Sequence, residues 1–534
     1  MAPTVPSLIQ RRIVVAGGFC VMAFALVGVR LVDLAVFKGQ VTGVSVAAVD
    51  ETPPVRADIV DRNGELLARD LPVFDLYAMP HTFWDKEEAA RGLAAATGAN
   101  LARLEKAFAS KHNYVLVARQ ISPDIRDRVM HLGLPGLEFH PAVKRFYPQG
   151  IAAVQVIGAT QAVSGGQGVD GLERGLNARL VAGQSAQLSL DMRIQYVLEQ
   201  EAEAARKKYN AYAAGGIVMN VNTGEVLAMA SLPDTQGTAP KGIDPRRNRM
   251  AQDDYELGSV FKIFAFALAL EDHTTRMDEL LPVGSGFKID KFTIRDAEHM
   301  PALMKARDIL AQSSNAGTAQ IALRSGADRQ RAFLANLGLL QPMHTELAEW
   351  VRPILPRHWG EVETATIGFG HGISVSPLAF VTAASMIVNG GRRIAPTFLK
   401  QDGDRRGEQV IKPETSAGMR DLLRYVVTDG TGKAADVLGY NVGGKTGSAE
   451  KNEKGRYVAH KLLTSFCAAF PIDNPRYLVF VMLDEPHGAN AEGVMALAGH
   501  TAAPLAGDVI AHIAPMLEMP AAAVAPHAPT KSSS

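Results

Sequence analysis

The order of strand-like and helix-like segments over residues 215–483 constrains the fold most. Gly216–Val221 and Glu225–Ala230 are apolar runs that flank Asn222-Thr223-Gly224, a hairpin signal. Ser465–Phe470 and Tyr477–Leu483 read as two further strands, and Phe261–Leu270 and Phe380–Val388 as apolar helices. Strands at both ends of a region, with helices between them, predict an α/β or α+β sandwich. At roughly 150 residues per domain, the 534-residue chain has room for about two to four domains.

The N-terminus predicts an anchor. Arg11-Arg12 precede Ile13–Val29, which carries no charge, and after Arg30 the apolar residues continue to Phe37. This is the short end of a membrane span, and Arg30 can snorkel to the interface. A cleaved signal peptide needs a small-residue site close behind its apolar core, where Arg30-Leu31-Val32-Asp33 stands instead. A basic pair with no acidic residue before it keeps the N-terminus cytoplasmic. The expectation is a cytoplasmic tail at 1–12, a transmembrane signal anchor at 13–37, and an extracytoplasmic remainder.

Beyond the anchor, Val41–Val55 reads as a linker or entering strand. Asp61-Arg62-Asn63-Gly64 reads as a turn between Asp58-Ile59-Val60 and Leu66-Leu67-Ala68. Asp191 is an expected N-cap. Behind it Ile194, Val197, Leu198, Ala202 and Ala205 recur at helical spacing, in a helix expected to connect two domains. The end, Pro520–Ser534, is of low complexity and expected to be disordered.

Composition removes several functions. Lys plus Arg (55) equals Asp plus Glu (55), with no basic stripe, so no nucleic-acid partner is expected. The two cysteines, Cys20 and Cys467, form no CxxC pair, and the histidines show no HExxH spacing, so no metal site is expected. With Cys20 in the span and Cys467 in a strand, no disulfide is expected either.

Glu256–Phe264 reads ELGSVFKIF, with one lysine among apolar residues. At a helix start, Ser259 and Lys262 at i and i+3 share a face. The helix dipole and the apolar surroundings both disfavour an ammonium there, which tends to make Lys262 a base beside a serine nucleophile. The spacing alone is weak, because Ser285-Gly286-Phe287-Lys288 repeats it and reads as a loop. A capping serine with a snorkelling lysine is the plain alternative. Two later elements add weight. Ser313-Ser314-Asn315 lies between helical segments at about 307–311 and 316–323, and Lys445-Thr446-Gly447-Ser448 follows Val442-Gly443-Gly444. The first offers a hydroxyl and an amide. The second offers a cation, a hydroxyl and close backbone access, which suits a substrate ending in a carboxylate. Taken singly, they also read as capping residues and a hairpin turn.

The three in this order resemble the motif set of the penicillin-binding proteins and serine β-lactamases. ELGSVFK resembles that family's EPGSxFK, with Leu257 in the place of proline. Ala365–Gly372 with Ser376-Pro377-Leu378 resembles its glycine-rich segment, with His371 where tyrosine is common; Gly430-Thr431-Gly432 also fits. Arg56–Gly64 and Phe146–Gly150 resemble the N-terminal module of class B members. The stretch from Gly443 to Pro486 is most similar to the cell-division, FtsI-type transpeptidases. Ser448 departs from the usual threonine.

The resemblance implies a penicillin-binding transpeptidase domain at 201–515, with an antiparallel sheet flanked by helices. It implies a dimerisation-type pedestal at 38–200 and leaves a disordered tail at 516–534. It implies Ser259 as the acylated nucleophile, Lys262 as its base, Ser313 as proton relay and Asn315 as holder of the substrate amide. Lys445 and Thr446 are implied to set the electrostatics and bind the carboxylate, with Gly447 and Ser448 lining the substrate strand. The N–H groups of Ser259 and Ser448 are the implied oxyanion hole. The implied reaction is acyl transfer on D-Ala-D-Ala stem peptides without a cofactor, with β-lactams as inhibitors. The implied setting is the periplasmic side of the bacterial inner membrane, in partnership with a SEDS-type glycosyltransferase and other divisome membrane proteins.

Other readings stay open on sequence: an elongation-type transpeptidase, a D,D-carboxypeptidase or β-lactamase, and a non-catalytic penicillin-binding scaffold. No ExxxN-like element that could supply a deacylating base stands between Asn315 and Lys445. Gly432-Lys433 is no phosphate loop, since Val427 and Ala434 occupy positions that need Gly and Ser or Thr. His371 reads as a loop residue, and Asp484-Glu485-Pro486 as a strand end.

Overall fold

The computed structural model describes residues 22, 24–27, 55–233, 244–453, 456–487 and 496–521. The expected tail at 1–12 and anchor at 13–37 lie outside the described residues, apart from 22 and 24–27, which are helical and exposed. Among the described residues no helix is long and apolar enough to cross a membrane.

The first module is built on β1 (Ile59–Val60), β2 (Leu66–Ala78), β3 (Val115–Ile121), β4 (Leu137–Phe146) and β5 (Ala186–Gln187). The predicted hairpin is present, with Ile59 opposite Ala68. Its turn is fixed by the Asp61 carboxylate, which accepts from the N–H groups of Asn63 (2.7 Å) and Glu65 (2.8 Å). The long strand β2 pairs antiparallel with β1, β3 and β4. Helices Lys86–Thr97, Leu101–Ala109 and Pro123–Met130 bury Leu93, Leu104, Phe108 and Val129 in the same cluster as Leu76 and Val117 of the sheet. Arg56 and Arg145 both bind the buried Glu173, and Arg145 also reaches Asp70. Buried charges are tolerated when paired in this way.

The second module has the predicted sandwich. Its antiparallel sheet runs in the order Gly443–Glu453, Arg456–Phe470, Tyr477–Asp484, Ala213–Asn220, Val226–Leu232. The register links its two ends across the sheet: Lys445 opposes Cys467, Cys467 opposes Phe480, Phe480 opposes Ile217, and Ile217 opposes Met229. Strands from both ends of the region therefore form one sheet. The strands alternate residues to two buried faces. On one side Val218, Val479 and Val481 cluster with Ile194, Leu198 and Ala202 of helix Met192–Lys208, and with Val509 and Ile513 of helix Ala502–Met516. On the other, Ile217, Cys467 and Phe480 cluster with Phe264 of helix Lys262–Glu271 and Phe380 of helix Pro377–Val388. The rings of Phe264 and Phe480 each lie 5.5 Å from that of Phe380.

Two expectations are sharpened. Asp191 is an N-cap, accepting from the Arg193 N–H at 3.1 Å, and the helix behind it packs on the second sheet. The segment expected to be a loose tail from residue 516 begins with packed chain. Met519 is buried in the same cluster as Ile513. Residues 522–534 lie outside the described set. Cys467 is buried and free.

Candidate active site

Ser259 sits not in an α-helix but in a 3-10 turn, Gly258–Phe261, that feeds the helix Lys262–Glu271. In a 3-10 turn residues i and i+3 eclipse, so Ser259 and Lys262 are aligned more closely than α-helical spacing predicts. Backbone stacking fixes the turn. Gly258 has φ +60°, and a Cβ there would lie 2.8 Å from the Ser448 carbonyl oxygen. Gly370, at φ +85°, leaves no room for a Cβ either, which would come to 2.1 Å from the Gly258 carbonyl oxygen. The two glycines press the serine turn between the Lys445–Ser448 strand and the loop after helix Glu361–Gly368.

Lys262 is fully buried. Its Nζ donates to the Ser313 carbonyl and lies 3.2 Å from Ser313 Oγ. Lys445, also fully buried, reaches the same hydroxyl at 3.0 Å and donates to the Thr446 carbonyl at 3.0 Å. Two amines thus converge on one serine. Ser313 is held at φ +63°, a left-handed conformation uncommon outside glycine. Burial pushes the Lys262 amine well below the ordinary lysine range; Lys445 adds to this and the Asp296 carboxylate opposes it. Burial alone brings Lys445 down to about 7. A neutral Lys262 has one lone pair, and with its N–H engaged by the Ser313 carbonyl that lone pair is free to take a hydroxyl proton.

A cleft of about 410 Å³ opens over this centre, lined among others by Ser259, Ser313, Asn315, Thr446 and Ser448. Thr446 Oγ1 hydrogen-bonds Thr431 Oγ1 at 2.7 Å. Gly447 and Ser448 lie on the strand opposite Ser465 and Thr464, and Ser448 Oγ accepts from the Ala498 N–H at 3.0 Å. All eight residues singled out from sequence therefore meet at one centre. The other serine-lysine pair does not join them: Ser285 and Lys288 are both exposed, and Lys288 belongs to a short hairpin of Phe287–Ile289 with Phe292–Ile294 rather than to a loop.

His371 is a loop residue, as expected, but a mostly buried one beside Glu256 (3.6 Å), and burial with the nearby Lys262 lowers its pKa to about 4. Sequence reasoning left out several groups of the site. Lys433 lines the cleft, as do Glu298 and Met300 on one stretch and Leu497–His500 on another. None of these has a local pattern that signals its place; only the fold brings them there. Asp296 was missed too, although it stands at the start of the helix carrying Asn315.

Residues 214–511 match the family model described as penicillin binding protein transpeptidase domain, and residues 51–188 the penicillin-binding protein dimerisation domain. A "Probable peptidoglycan D,D-transpeptidase FtsI" of Caulobacter vibrioides is 40% identical over 482 residues, covering 86% of this chain and 81% of the relative. A "Probable peptidoglycan D,D-transpeptidase PenA" of Neisseria gonorrhoeae is 32% identical, covering 82% and 81%. Among solved structures, penicillin-binding protein 3 of Mycobacterium tuberculosis in complex with aztreonam superposes with a TM-score of 0.68 at 26% identity, covering 88% of this chain and 98% of that one. With one matched domain over half its length and the dimerisation domain before it, the chain belongs to the penicillin-binding protein transpeptidases, in the class B branch.

Proposed function

We propose that this transpeptidase cross-links peptidoglycan stem peptides at the division septum through an acyl-enzyme on Ser259. The observation that carries the reading is the convergence of two buried, pKa-lowered lysines on the Ser313 hydroxyl, in a centre whose cleft is lined by Ser259. Lys262 takes the Ser259 proton as the hydroxyl attacks the carbonyl between the two terminal D-alanines. The N–H groups of Ser259 and Ser448 receive the oxyanion, a contribution of about 3–4 kcal/mol per donor. Ser313, bridging both amines, returns the proton to the departing D-alanine. Asn315 holds the peptide amide. Lys445 and Thr446 bind the terminal carboxylate, whose arrival draws Lys445 back to its charged form. An amine of a neighbouring stem then accepts the acyl group. A β-lactam acylates the same serine and stays.

The FtsI and PenA relatives support the septal assignment and the substrate. In this reading the anchor at 13–37 tethers the chain to the inner membrane, with a pedestal at 38–200 and the catalytic domain at 201–515 in the periplasm. Glycan polymerisation falls to a SEDS-type partner. Mass spectrometry of the full chain after incubation with penicillin tests the chemistry: a stable adduct on the peptide holding Ser259 is expected. An adduct elsewhere, or one released within seconds, overturns the assignment, the latter in favour of a hydrolase. Midcell localisation of a fluorescent fusion is expected, and sidewall localisation overturns the septal role.

A further inference from the structure

Asp296 follows the hairpin strand Phe292–Ile294, and Ile289 and Ile294 of that hairpin pack with Ala319 and Leu323 of helix Asn315–Ser325. This packing brings the Asp296 carboxylate to the helix start. Its Oδ2 accepts from Ser314 Oγ at 2.7 Å, and its Oδ1 from the N–H groups of Asn315 and Ala316, the latter at 3.1 Å. Ser314 Oγ in turn accepts from the Gly317 N–H at 3.0 Å, so acid and serine cap the helix together. The turn so held contains Ser313 in its left-handed conformation, with a lysine on each side.

We infer that Asp296 is a positioning residue of the acylation step, which pins the Ser313–Asn315 turn and supplies a negative charge that acts on the buried Lys262. A centre with two amines and no counter-charge makes protonation of either costly. The groups facing Lys262 are Lys445 from the adjoining strand, Asp296 from the hairpin, and His371, beside Glu256, from the loop after helix Glu361–Gly368. Of the charges acting on Lys262, Lys445 pushes its pKa down and Asp296 pushes it up. Removing the Asp296 charge therefore leaves Lys262 a free base to lower pH.

The inference rests on Ser259 and Lys262 acting as proposed above. The test is the second-order rate of acylation of the full chain by a fluorescent penicillin, measured against pH. Wild type is expected to show an acid limb, falling about tenfold one pH unit below its midpoint. Asp296→Asn keeps a similar shape and acceptor, and its acid limb is expected to move to lower pH, so that the tenfold loss at that reference pH shrinks towards none. Ser314→Ala removes the hydroxyl of the shared cap but not the charge, and its acid limb is expected to stay in place while the rate falls. Asp296→Glu is expected to return the limb towards wild type. An unmoved limb in Asp296→Asn, with a rate loss at all pH values, overturns the charge role, as does an equal shift in Ser314→Ala. Thermal melts of each variant separate unfolding from these outcomes. Labelling that persists in Ser259→Ala sinks the underlying reading instead, whatever Asp296 does.

Discussion

The chain contains two serine-lysine pairs with the same spacing, and their surroundings share almost nothing. Ser259 and Lys262 lie in a 3-10 turn entering a buried helix, where the lysine is fully covered and meets Ser313. Ser285 and Lys288 are exposed, and Lys288 pairs opposite Thr293 in a two-stranded hairpin. In helical backbone i and i+3 align, whereas Ser285 lies in the turn before the strand that carries Lys288. Lys288 stands in water, whereas burial pushes Lys262 well below the usual lysine range. The comparison shows that spacing names a candidate, and that backbone conformation and desolvation decide whether it can react.

The largest effect is expected from the two serines. Ser259→Ala is expected to abolish penicillin acylation, a loss on the order of 10⁶-fold as for other serine acyl-enzymes, while Ser285→Ala stays at the wild-type rate. Stopped-flow acylation kinetics read both. Equal rates for the two variants break the comparison. The lysines come next. Lys262→Met is expected to slow acylation by about 10²–10⁴-fold, the ordinary range for a lost general base, and Lys288→Met by less than about twofold. A Lys262→Met variant that acylates normally leaves burial without a catalytic purpose.

Much of this centre was legible in the sequence, because its main groups sit in local patterns. Gly258 before Ser259, the serine pair before Asn315, and Gly443-Gly444 before Lys445 each marked a turn or a strand. The sheet was legible because apolar runs at Ile217 and Phe480 have strand length. Asp296 was not, because its partners Ser314 and Ala316 lie about 20 residues on and are reached through the Ile289–Ala319 contact. The cleft walls at Glu298 and Leu497–His500 were invisible because residues outside helices and strands follow no period. The 3-10 turn at Ser259 was missed because its residues suit an α-helix equally well, and the close stacking of Gly258 on Ser448 and Gly370 tightens it.

The comparison extends to Lys445, whose pKa is brought to about 7 by burial alone. Its charged form is present below that value and lost above it. Acylation by a carboxylate-bearing penicillin is therefore expected to decline above pH 7, by about tenfold per pH unit once the limb is reached. A penicillin methyl ester lacks the anion that Lys445 would bind, so its slower acylation is expected to show no such limb. An identical alkaline limb for both compounds contradicts the carboxylate role.

The smallest expected effect concerns stability. Lys445 is a buried cation whose hydrogen-bond partners, Ser313 Oγ and the Thr446 carbonyl and hydroxyl, are all uncharged. Between about 7, its folded value, and 10.5, its ordinary one, the unfolded chain holds the proton that the folded chain has lost. Linkage makes this group's contribution to stability rise with pH across that window. Its destabilising effect is thus fully present below pH 7. Lys445→Met replaces the cation with an apolar chain of similar length, and is expected to stabilise the fold at pH 6 by about 1 kcal/mol while losing activity. The gain is expected to shrink as pH rises towards 10. Lys288→Met, on the exposed hairpin, is expected to change stability by less than about 0.5 kcal/mol at either pH. Denaturant melts of both variants at pH 6 and pH 9 read the difference. If Lys445→Met is less stable than wild type at pH 6, the hydrogen bonds of the ammonium outweigh its desolvation, and the buried lysine is a structural support rather than a strained catalytic group.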